Sequence, residues 1–337
     1  MSKDIKADPA VPSDGDPYGE RIDEQPHRDA TPHAESGLSE GAESVGTAAT
    51  GGAVSGRSAS LWSDAWKELR RNPLFVISAL MLLLMVVIAA APGLFTNQSP
   101  RACNLANTVG RPQAGHPFGF DIQGCDYYTL VVYGARTSIT IGVLVVGVAL
   151  LIAIVLGCIA GFYGGFADTL LARAADVWFA IPAILGAIVI LSVFNQRGLF
   201  QVAFVLIVFY WPVMMRLMRS SVLGTKEVEY VDAARALGAS DVRILRRHIL
   251  PNAIAPVIVY ATITVGIVIA SEAALSFLGV GLQLPAISWG LMISVSQNRI
   301  LQDPHLLLFP ALFLSITVFS FILLGDALRD ALDPKLR

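Results

Sequence analysis

Charged residues are scarce in this chain: Asp, Glu, Lys and Arg make up 15% of its 337 residues, whereas hydrophobic residues make up 54%. This composition excludes a soluble globular protein. Six stretches carry almost no charge and are long enough to cross a hydrocarbon layer of about 30 Å at about 1.5 Å per helical residue. They are residues 74–91, 137–162, 177–194, 199–215, 254–271 and 306–325. The sequence therefore predicts an all-α integral membrane protein whose six transmembrane helices occupy residues 74–328.

Motifs of nucleotide-binding and hydrolytic proteins are also lacking. The sequence has no GxxxxGK[ST] phosphate loop, no HExxH motif and no GxSxG motif. The five histidines are scattered, and the spans hold no pair of carboxylates suited to acid–base chemistry. His116, Asp121 and Asp126 share one loop but lack the spacing of metal ligands, so we assign them turn and capping roles. We expect no enzymatic activity, no metal site and no cofactor in this chain.

Cysteine is rare as well, with three in the chain. Cys158 lies inside the second span, where packing is its expected role. Cys103 and Cys125 both lie in the loop of residues 92–136, which is assigned below to the outside of the cell. A disulfide between them fits an oxidising compartment, although the sequence alone leaves the pairing open.

Residues 1–60 contain almost no large hydrophobic side chains. They carry eleven acidic and five basic residues, a net charge of −6, whereas the remainder carries nineteen basic and fifteen acidic residues, a net charge of +4. Such a segment cannot bury enough apolar surface to offset the entropy of ordering, so we predict a disordered acidic tail. Residues 61–73 follow as an amphipathic interfacial helix, in which Trp62 and Trp66 share one face and Lys67 precedes the first span.

The distribution of basic residues predicts the orientation. With the tail in the cytoplasm, six spans place the loop of residues 223–252 and the C-terminal residues 329–337 in the cytoplasm too. Segments assigned to the inside, beyond the tail, hold fourteen Lys and Arg residues, against five in segments assigned to the outside. This asymmetry agrees with the positive-inside rule and indicates a multi-pass protein of the cell membrane. The basic residues are not interleaved with aromatic ones as on a nucleic-acid-binding surface.

The longest polar insertion between spans covers residues 225–251, and its pattern predicts two short helices with a break between them. Thr225 is a candidate N-cap of the first helix, and Ser240 is a candidate N-cap of the second. Gly238 falls where the end of a helix favours a positive φ. Pro251 is predicted to end the second helix.

This insertion resembles the EAA loop of the membrane subunits of ABC importers. The family pattern is Glu-Ala-Ala, three residues, Gly, nine residues and then Ile-x-Leu-Pro. The matching residues are Asp232, Ala233, Ala234, Gly238, Leu250 and Pro251. Asp232 replaces the usual Glu, and His248 replaces the usual Ile. The string RHILPN, residues 247–252, is similar to the peptide and nickel branch of the family.

Other segments carry the same resemblance, which covers about residues 70–337. Residues 116–138 resemble a family segment of the form H-x-F-G-T-D-x-x-G-R-D followed by YGAR-x-S, with Phe120 in place of Thr and Cys125 in place of Arg. The strings SFLGVGLQLP and AISWG, and the C-terminal LLGDALRDALDPKLR, also resemble the dipeptide and oligopeptide permease branch.

The resemblance implies one of two membrane subunits of an importer of short peptides. Its implied partners are a second, homologous permease, two ATPase subunits that bind ATP and Mg, an extracellular substrate-binding protein and a peptide substrate. The residues it implies in docking to the ATPase and in coupling are Tyr230, Asp232, Ala233, Ala234, Gly238, Arg247, His248, Leu250 and Pro251. In that interpretation the helix pair acts as a lever on the fourth and fifth spans.

Three residues within the spans are candidates for gating or for the pathway. Glu272 is an acid at a membrane border, although a snorkelling or helix-packing carboxylate is an equal alternative. Pro182 and Pro212 interrupt the third and fourth spans and either shape a pathway or only bend a helix.

Two local patterns predict packing within the membrane. Ala153, Gly157 and Gly161 are spaced four residues apart in the second span, so their small side chains share one face and permit close approach of another helix. Arg173 and Asp176 stand three residues apart at the start of the third span, where we predict a local ion pair.

Alternative functions are open at this point. The nearest is the same importer class with a different cargo, such as nickel chelates, glycosides or another small solute. An ion-coupled secondary carrier would need ionisable residues within the spans or inverted repeats, and the spans offer neither clearly. A structural or signalling membrane protein has only the acidic tail in its favour.

Overall fold

The computed structural model describes residues 66–67 and 69–332, and the regular structure of these residues is helical. The predicted disordered tail of residues 1–60 lies outside the described residues, as do residues 333–337 of the predicted cytoplasmic C-terminus. In the described residues, extended pairing is limited to three isolated bridges, all in the loop before the second long helix. The predicted all-α fold is confirmed.

Five helices are long. They are α1 (Pro73–Ala90), α2 (Tyr127–Tyr163), α5 (Leu199–Lys226), α9 (Ala255–Phe277) and α11 (His305–Leu332). The shorter helices are α3 (Gly165–Phe179), α4 (Ala183–Ser192), α6 (Glu229–Ala236), α7 (Asp241–Ile244), α8 (Leu250–Ala253) and α10 (Trp289–Ser296). A π-helical turn, Leu245–Ile249, joins α7 to α8, and 3-10 turns lie at Pro92–Leu94, Leu105–Asn107 and Gln297–Arg299.

Each of the five long helices is long and apolar enough to cross a membrane, and a sixth span results if α3 and α4 are counted together. These two helices meet at an angle of 83°, and Pro182 is the N-cap of α4. The predicted third span, residues 177–194, is therefore a broken helix whose break lies at this proline. In contrast, α5 continues through Pro212 without a break.

The helix α2 is 37 residues long and begins at Tyr127, ten residues before the predicted second span. Asp126 acts as its N-cap and accepts a hydrogen bond from the backbone N–H of Thr129 at 2.8 Å. The first loop therefore ends before Tyr127 and does not reach Arg136. The Arg136 side chain instead donates hydrogen bonds to two carbonyls at the end of α1.

The small-residue stripe on α2 lies against α5. Ala153, Gly157 and Gly161 are buried. A Cβ atom added at Gly157 would lie 2.6 Å from the Met218 Cβ atom, and one added at Gly161 would lie 2.8 Å from the Val222 Cβ atom. The two helices approach so closely that only glycine fits at these two positions.

Contacts of α2 define the two ends of the bundle. At its start, the hydroxyl of Tyr127 donates a hydrogen bond to the carbonyl of Leu306 in α11; we call this the loop end, because the loop before α2 folds over it. Phe118 of that loop stacks on Phe309 with ring centroids 3.8 Å apart. At the other end, α2 terminates beside the end of α5; we call this the hairpin end.

The core of the bundle is formed by α2, α4, α5 and α9, whose buried residues include Ile141, Leu206 and Ile269. The outward-facing side chains are also apolar: Leu151 is 66% exposed and Phe200 is 77% exposed. Lipid tails are as apolar as leucine, so such a surface is compatible with a hydrocarbon environment and costly in water.

Candidate functional site

The polar insertion forms a helical hairpin at the hairpin end of the bundle. We call residues 227–253 the coupling hairpin, after the role that the sequence resemblance implies; it consists of α6, α7, the π-helical turn and α8. The backbone of Val228 is extended, and α6 begins at Glu229. The prediction that Thr225 caps this helix is wrong, because Thr225 lies in the last turn of α5. There its hydroxyl donates a hydrogen bond to the carbonyl of Ser221 at 2.8 Å.

One face of the coupling hairpin is packed against the long helices. Its fully buried side chains are Val231, Ile244, Ile249 and Ala253. They form one hydrophobic cluster with residues of α2, α5 and α9, including Met218 and Val222. Full burial contributes about 1.5–3 kcal/mol for each of the valine and isoleucine side chains. The hairpin is therefore held firmly to three membrane helices.

The Asp-Ala-Ala motif is divided between the two faces of α6. Ala234 is half-buried and packs against the hydrophobic cluster. Asp232 and Ala233 are exposed. The carboxylate of Asp232 pairs with Arg235 at 2.8 Å, one turn along the helix. The acidic residue of the motif thus has a partner within its own helix. Its neighbour Ala233 has a small side chain, so another helix or surface could approach closely there.

The part of the α6 surface beside this packed side exposes apolar side chains to the surroundings. Tyr230, Ala233 and Leu237 lie at positions i, i+3 and i+7, which share one side of a helix; we call these three residues the exposed face. Leu237 is 88% exposed and Tyr230 is 40% exposed. Val242, the second residue of α7 after the turn, is 58% exposed. Exposed large apolar side chains are thus grouped in a segment whose other exposed residues are mostly charged.

Gly238 makes the turn between the two limbs of the hairpin. Its φ is +77°, which glycine adopts without strain. Its N–H donates to the carbonyl of Arg235 at 3.0 Å, and the N–H of Ala239 donates to the carbonyl of Ala234 at 3.1 Å. This arrangement satisfies the last carbonyls of α6 in the manner of a glycine C-cap. The positive φ predicted for Gly238 is therefore observed.

The second limb differs from its predicted form at both ends. Ser240 occupies the N-cap position of α7, but its side chain makes no capping hydrogen bond. Pro251 does not end the limb, contrary to the prediction, because it lies in the first turn of α8, where a helix needs no N–H. The chain then turns directly into α9. Leu250, beside the proline, is half-buried and packs on the hydrophobic cluster.

A hydrogen-bonded group joins the two limbs. The side-chain amide of Asn252 donates to the carbonyl of His248 at 2.7 Å and to the hydroxyl of Tyr230 at 3.2 Å. The Tyr230 hydroxyl also approaches the His248 carbonyl, at 3.4 Å. The structure therefore brings two of the predicted residues together through Asn252, which the sequence-based prediction missed although it ends the RHILPN string. Arg247 lies in the same π-helical turn and is exposed.

The base of the hairpin is tied to its neighbours by polar contacts. Lys226, the last residue of α5, donates a hydrogen bond to the carbonyl of Phe162 at the end of α2, at 2.6 Å. The hydroxyl of Ser221 donates to the carbonyl of Ala253 in α8, at 2.7 Å. The second contact ties the hairpin to α5, and the first ties the end of α5 to α2.

Ion pairs connect α5 to α3 on the same side of the bundle. Arg219 forms two hydrogen bonds with the carboxylate of Asp168, the second at 2.7 Å. Arg216 pairs with Asp176. The predicted local pair between Arg173 and Asp176 is present at 3.8 Å, but Arg216 is the closer partner. The broken helix is thereby linked to the helix that leads into the coupling hairpin.

The three predicted pathway residues belong to separate elements. Pro182 lies at the bend between α3 and α4, whereas Pro212 is buried in α5. Glu272 is fully buried in α9, and its Oε1 atom accepts hydrogen bonds from Ser276 at 2.8 Å and Ser288 at 3.1 Å. Its Oε2 atom has no hydrogen-bond partner among the described residues. Because Ser288 is the N-cap of α10, the geometry favours the helix-packing interpretation of Glu272.

The loop that covers the loop end is held by the pair of cysteines. Cys103 and Cys125 form a disulfide across 22 residues of sequence. Between them, Asp121 accepts hydrogen bonds from the backbone N–H groups of Gln123 and Cys125. Burial raises the pKa of the Asp121 carboxyl above its ordinary value, although these hydrogen bonds oppose the shift.

The neighbouring acid and histidine have structural roles too. Asp126 caps α2, and its other oxygen lies 2.7 Å from the Nδ1 atom of His116. The turn and capping roles predicted for the three polar residues His116, Asp121 and Asp126 are therefore those that the structure gives them.

Comparisons with known proteins place the chain in a family. The family model "Binding-protein-dependent transport system inner membrane component" matches residues 153–337. The model "N-terminal TM domain of oligopeptide transport permease C" matches residues 60–108.

Individual relatives match over most of their length. The dipeptide transport system permease protein DppC of Alkalihalophilus pseudofirmus is 40% identical over 281 residues, 82% of this chain and 91% of the relative. The oligopeptide transport system permease protein OppC of Bacillus subtilis is 40% identical over 284 residues, 84% of this chain and 93% of the relative. The glutathione transport system permease protein GsiD of Pectobacterium atrosepticum is 36% identical over 277 residues, 82% of this chain and 92% of the relative.

A solved structure described as an amino acid ABC transporter with histidines aligns with a TM-score of 0.47 and 14% identity, covering 59% of this chain and 92% of that chain.

The family match and the 40% identity to permease subunits confirm the resemblance found in the sequence. This chain is a multi-pass membrane protein that belongs to the family of inner membrane components of binding-protein-dependent transport systems.

Proposed function

We propose that this chain is the permease subunit of an ATP-driven importer of short peptides, and that its coupling hairpin receives the motion of partner ATPase subunits. The observation that carries the proposal is the two-faced hairpin. One face is locked to the long helices, while the other exposes Tyr230, Ala233 and Leu237. Exposed apolar side chains that are grouped on one surface, here Tyr230, Leu237 and Val242, are typical of a protein–protein contact rather than of a solvated connection.

Energy for transport has to come from partner subunits, because the sequence has no phosphate loop of its own. We assign ATP and Mg to two ATPase subunits, and the other half of the pathway to a second, homologous permease. A substrate-binding protein outside the membrane would deliver the cargo. The relatives are named for dipeptide, oligopeptide and glutathione transport, and a peptide cargo is what these names have in common.

The hairpin end faces the cytoplasm in this proposal, where ATP is available. Exposed arginines of the hairpin support that assignment, since basic residues are enriched on the cytoplasmic side; they are Arg243, Arg246 and Arg247. Both chain termini then lie on the cytoplasmic side, and the disulfide-linked loop lies outside, where disulfides persist.

Packed side chains connect the exposed face of the hairpin to the membrane helices without a gap. The exposed face is formed by α6 and its C-cap Leu237, and the buried Val231 of α6 belongs to the cluster that includes residues of α5 and α9. Close-packed interiors transmit displacement rather than absorb it. Closure of the ATPase pair would therefore move α5 and α9 with the hairpin and shift the populations of inward-facing and outward-facing states.

The test is affinity purification of the tagged chain in mild detergent, followed by mass spectrometry of the proteins that accompany it. We expect the wild-type chain to bring a second permease and ATPase subunits. The variant Leu237→Glu should lose the ATPases and keep the permease, because it places a charge in the apolar contact. The matched control is Leu301→Glu, which changes a leucine that is 91% exposed at the loop end.

Two outcomes contradict the proposal. If the Leu237→Glu variant retains the ATPases as fully as the Leu301→Glu control does, the exposed face is not the docking surface. If the wild-type chain purifies alone, the importer assembly itself is wrong, and an ion-coupled carrier becomes the better interpretation.

A further inference from the structure

A groove away from the coupling hairpin lies between α1, from Phe75 to Val86, and the last part of α11. It encloses about 520 Å³, and all of its lining side chains are hydrophobic. They include Trp66, Phe75, Leu82, Val86, Leu324 and Leu328. A volume of this size is within the range of small-molecule sites.

The length and position of the groove correspond to one leaflet of a membrane. Along α1 it extends from Phe75 to Val86, which is about 16 Å at about 1.5 Å per residue. Half of a hydrocarbon core about 30 Å thick is about 15 Å. Arg136, near the start of α2, binds the last turn of α1 at the loop end. The first turn of α1, and with it the mouth of the groove, therefore lies at the hairpin end.

Cations lie at the mouth of this groove. The guanidinium group of Arg70 stacks over the ring of Trp66, 4.7 Å from its centroid, and Trp66 itself lines the groove. Arg71 is the next residue and is exposed. On α11, exposed Arg329 is accompanied by exposed Asp326 and Asp330. Arg70 and Arg71 therefore place two guanidinium groups beside the mouth of the groove.

We propose that the groove binds an acyl chain of an anionic phospholipid and that Arg70 and Arg71 hold its phosphate. An apolar channel one leaflet deep fits a hydrocarbon tail, and guanidinium groups match phosphate oxygens through paired hydrogen bonds. Basic residues beside a groove between membrane helices on the cytoplasmic side are a recognised arrangement for anionic headgroups. The proposal concerns a lipid site and does not depend on the identity of the cargo.

The headgroup part of the proposal is tested by native mass spectrometry of the full-length chain. The purified chain is titrated in detergent with phosphatidylglycerol or with phosphatidylcholine of the same acyl composition. We expect phosphatidylglycerol to bind about tenfold more tightly, and the double variant Arg70→Gln, Arg71→Gln to abolish that difference. The control Arg243→Gln, Arg246→Gln removes two exposed arginines from the hairpin and should leave the difference in affinity between the two lipids unchanged. Equal affinity of the wild type for the two lipids would overturn the proposal.

The acyl-chain part is tested by filling the groove. Ala79→Trp places a large side chain among the lining residues, whereas Leu80→Trp changes the next residue, which is 60% exposed and does not line the groove. Lipid binding should fall at least tenfold in the first variant and stay unchanged in the second. An Ala79→Trp variant that folds and binds lipid like the wild type would overturn the proposal.

A photo-crosslinking amino acid at Leu83, another lining residue, keeps the test independent of folding changes at Ala79. The experiment uses the full-length chain in nanodiscs of phosphatidylglycerol and phosphatidylcholine in equal amounts. A phosphatidylglycerol adduct at Leu83, in excess over phosphatidylcholine, supports the proposal. Adducts in equal amounts, or an adduct with residues 1–65 of the chain itself, would contradict it.

Discussion

The ammonium group of Lys226 is bound to the last turn of α2, where it donates a hydrogen bond to the carbonyl of Phe162 at 2.6 Å and lies 5.5 Å from the centre of the Phe162 ring. A cation at this position interacts favourably with the negative end of the helix dipole. Lys226 is also the last residue of α5, immediately before the coupling hairpin. The hairpin therefore starts from a point that is fixed to a second membrane helix.

Loss of this contact should weaken the base of the hairpin. We expect Lys226→Met to lower the free energy of unfolding by about 1–2 kcal/mol, because the charge at the helix end and its hydrogen bond are both removed. The measurement is the thermal melting temperature of the purified chain. Lys226→Arg retains the charge and should lose less than half as much; a Met variant that melts like the wild type would contradict the account.

The turn of the hairpin should be sensitive to backbone strain and insensitive to side-chain volume. Gly238 has φ +77°, and no heavy atom lies within 4 Å of a Cβ atom built on it. We expect Gly238→Ala to cost about 1–2 kcal/mol of stability, and Gly238→Asn to cost less, because Asn tolerates the left-handed region better. The matched control is Gly224→Ala in α5, which also has open space around its Cβ position. This control should be stabilised slightly, since Ala is the better helix former; equal melting temperatures for the two Ala variants would contradict the strain argument.

The buried carboxyl of Glu272 should act as a hydrogen-bond acceptor that holds α10 to α9. We expect Glu272→Ala to destabilise the chain by about 2–4 kcal/mol, because two buried hydroxyls lose their acceptor and a cavity is left. Glu272→Gln keeps one side-chain oxygen in place of Oε1 and should cost much less. Melting temperatures of both variants decide the matter. If Gln is as damaging as Ala, the acid itself is required, and the gating interpretation regains support.

The disulfide should stabilise the loop end. Closing a loop of 22 residues by the Cys103–Cys125 bond is worth about 3 kcal/mol in the chain-entropy model. We therefore expect Cys103→Ser with Cys125→Ser to melt at a lower temperature than the wild type, and a reducing agent to lower the wild-type value towards that of the variant. The third cysteine, Cys158, is buried in α2 and serves as an internal control. A double variant that melts like the wild type would show that the bond is not formed in the protein.

Local signals in the sequence were sufficient for the elements that carry the coupling hairpin. Long apolar runs predicted the membrane helices, and a glycine after an alanine-rich helix predicted the turn at Gly238. Cap residues were less informative. Thr225 has the side chain of an N-cap, but α5 continues through it because its hydroxyl finds an acceptor one turn back, at Ser221. Pro251 was predicted to end a helix, but a proline is accommodated equally well in the first turn of a helix, where it is found.

Contacts between distant segments could not be predicted from one sequence. No pattern in the sequence indicates that Arg216 pairs with Asp176, because the two residues are 40 positions apart and meet only where α5 packs beside α3. Val231 is an apolar residue of α6 and Leu237 is the apolar C-cap of the same helix, and only the packed structure shows that the first faces the cluster and the second does not. Tertiary packing therefore decides which apolar side chains of the hairpin are free for a partner.

Reconstituted transport shows whether ATP drives uptake through the exposed face of the coupling hairpin. The chain is placed in proteoliposomes with its partner permease and ATPases, and uptake of a labelled dipeptide is followed with ATP and the substrate-binding protein present. We predict that uptake requires ATP, survives collapse of ion gradients, is abolished by Leu237→Glu and is retained by Leu301→Glu. Uptake that continues in the Leu237→Glu variant, or that follows an ion gradient instead of ATP, would contradict the account.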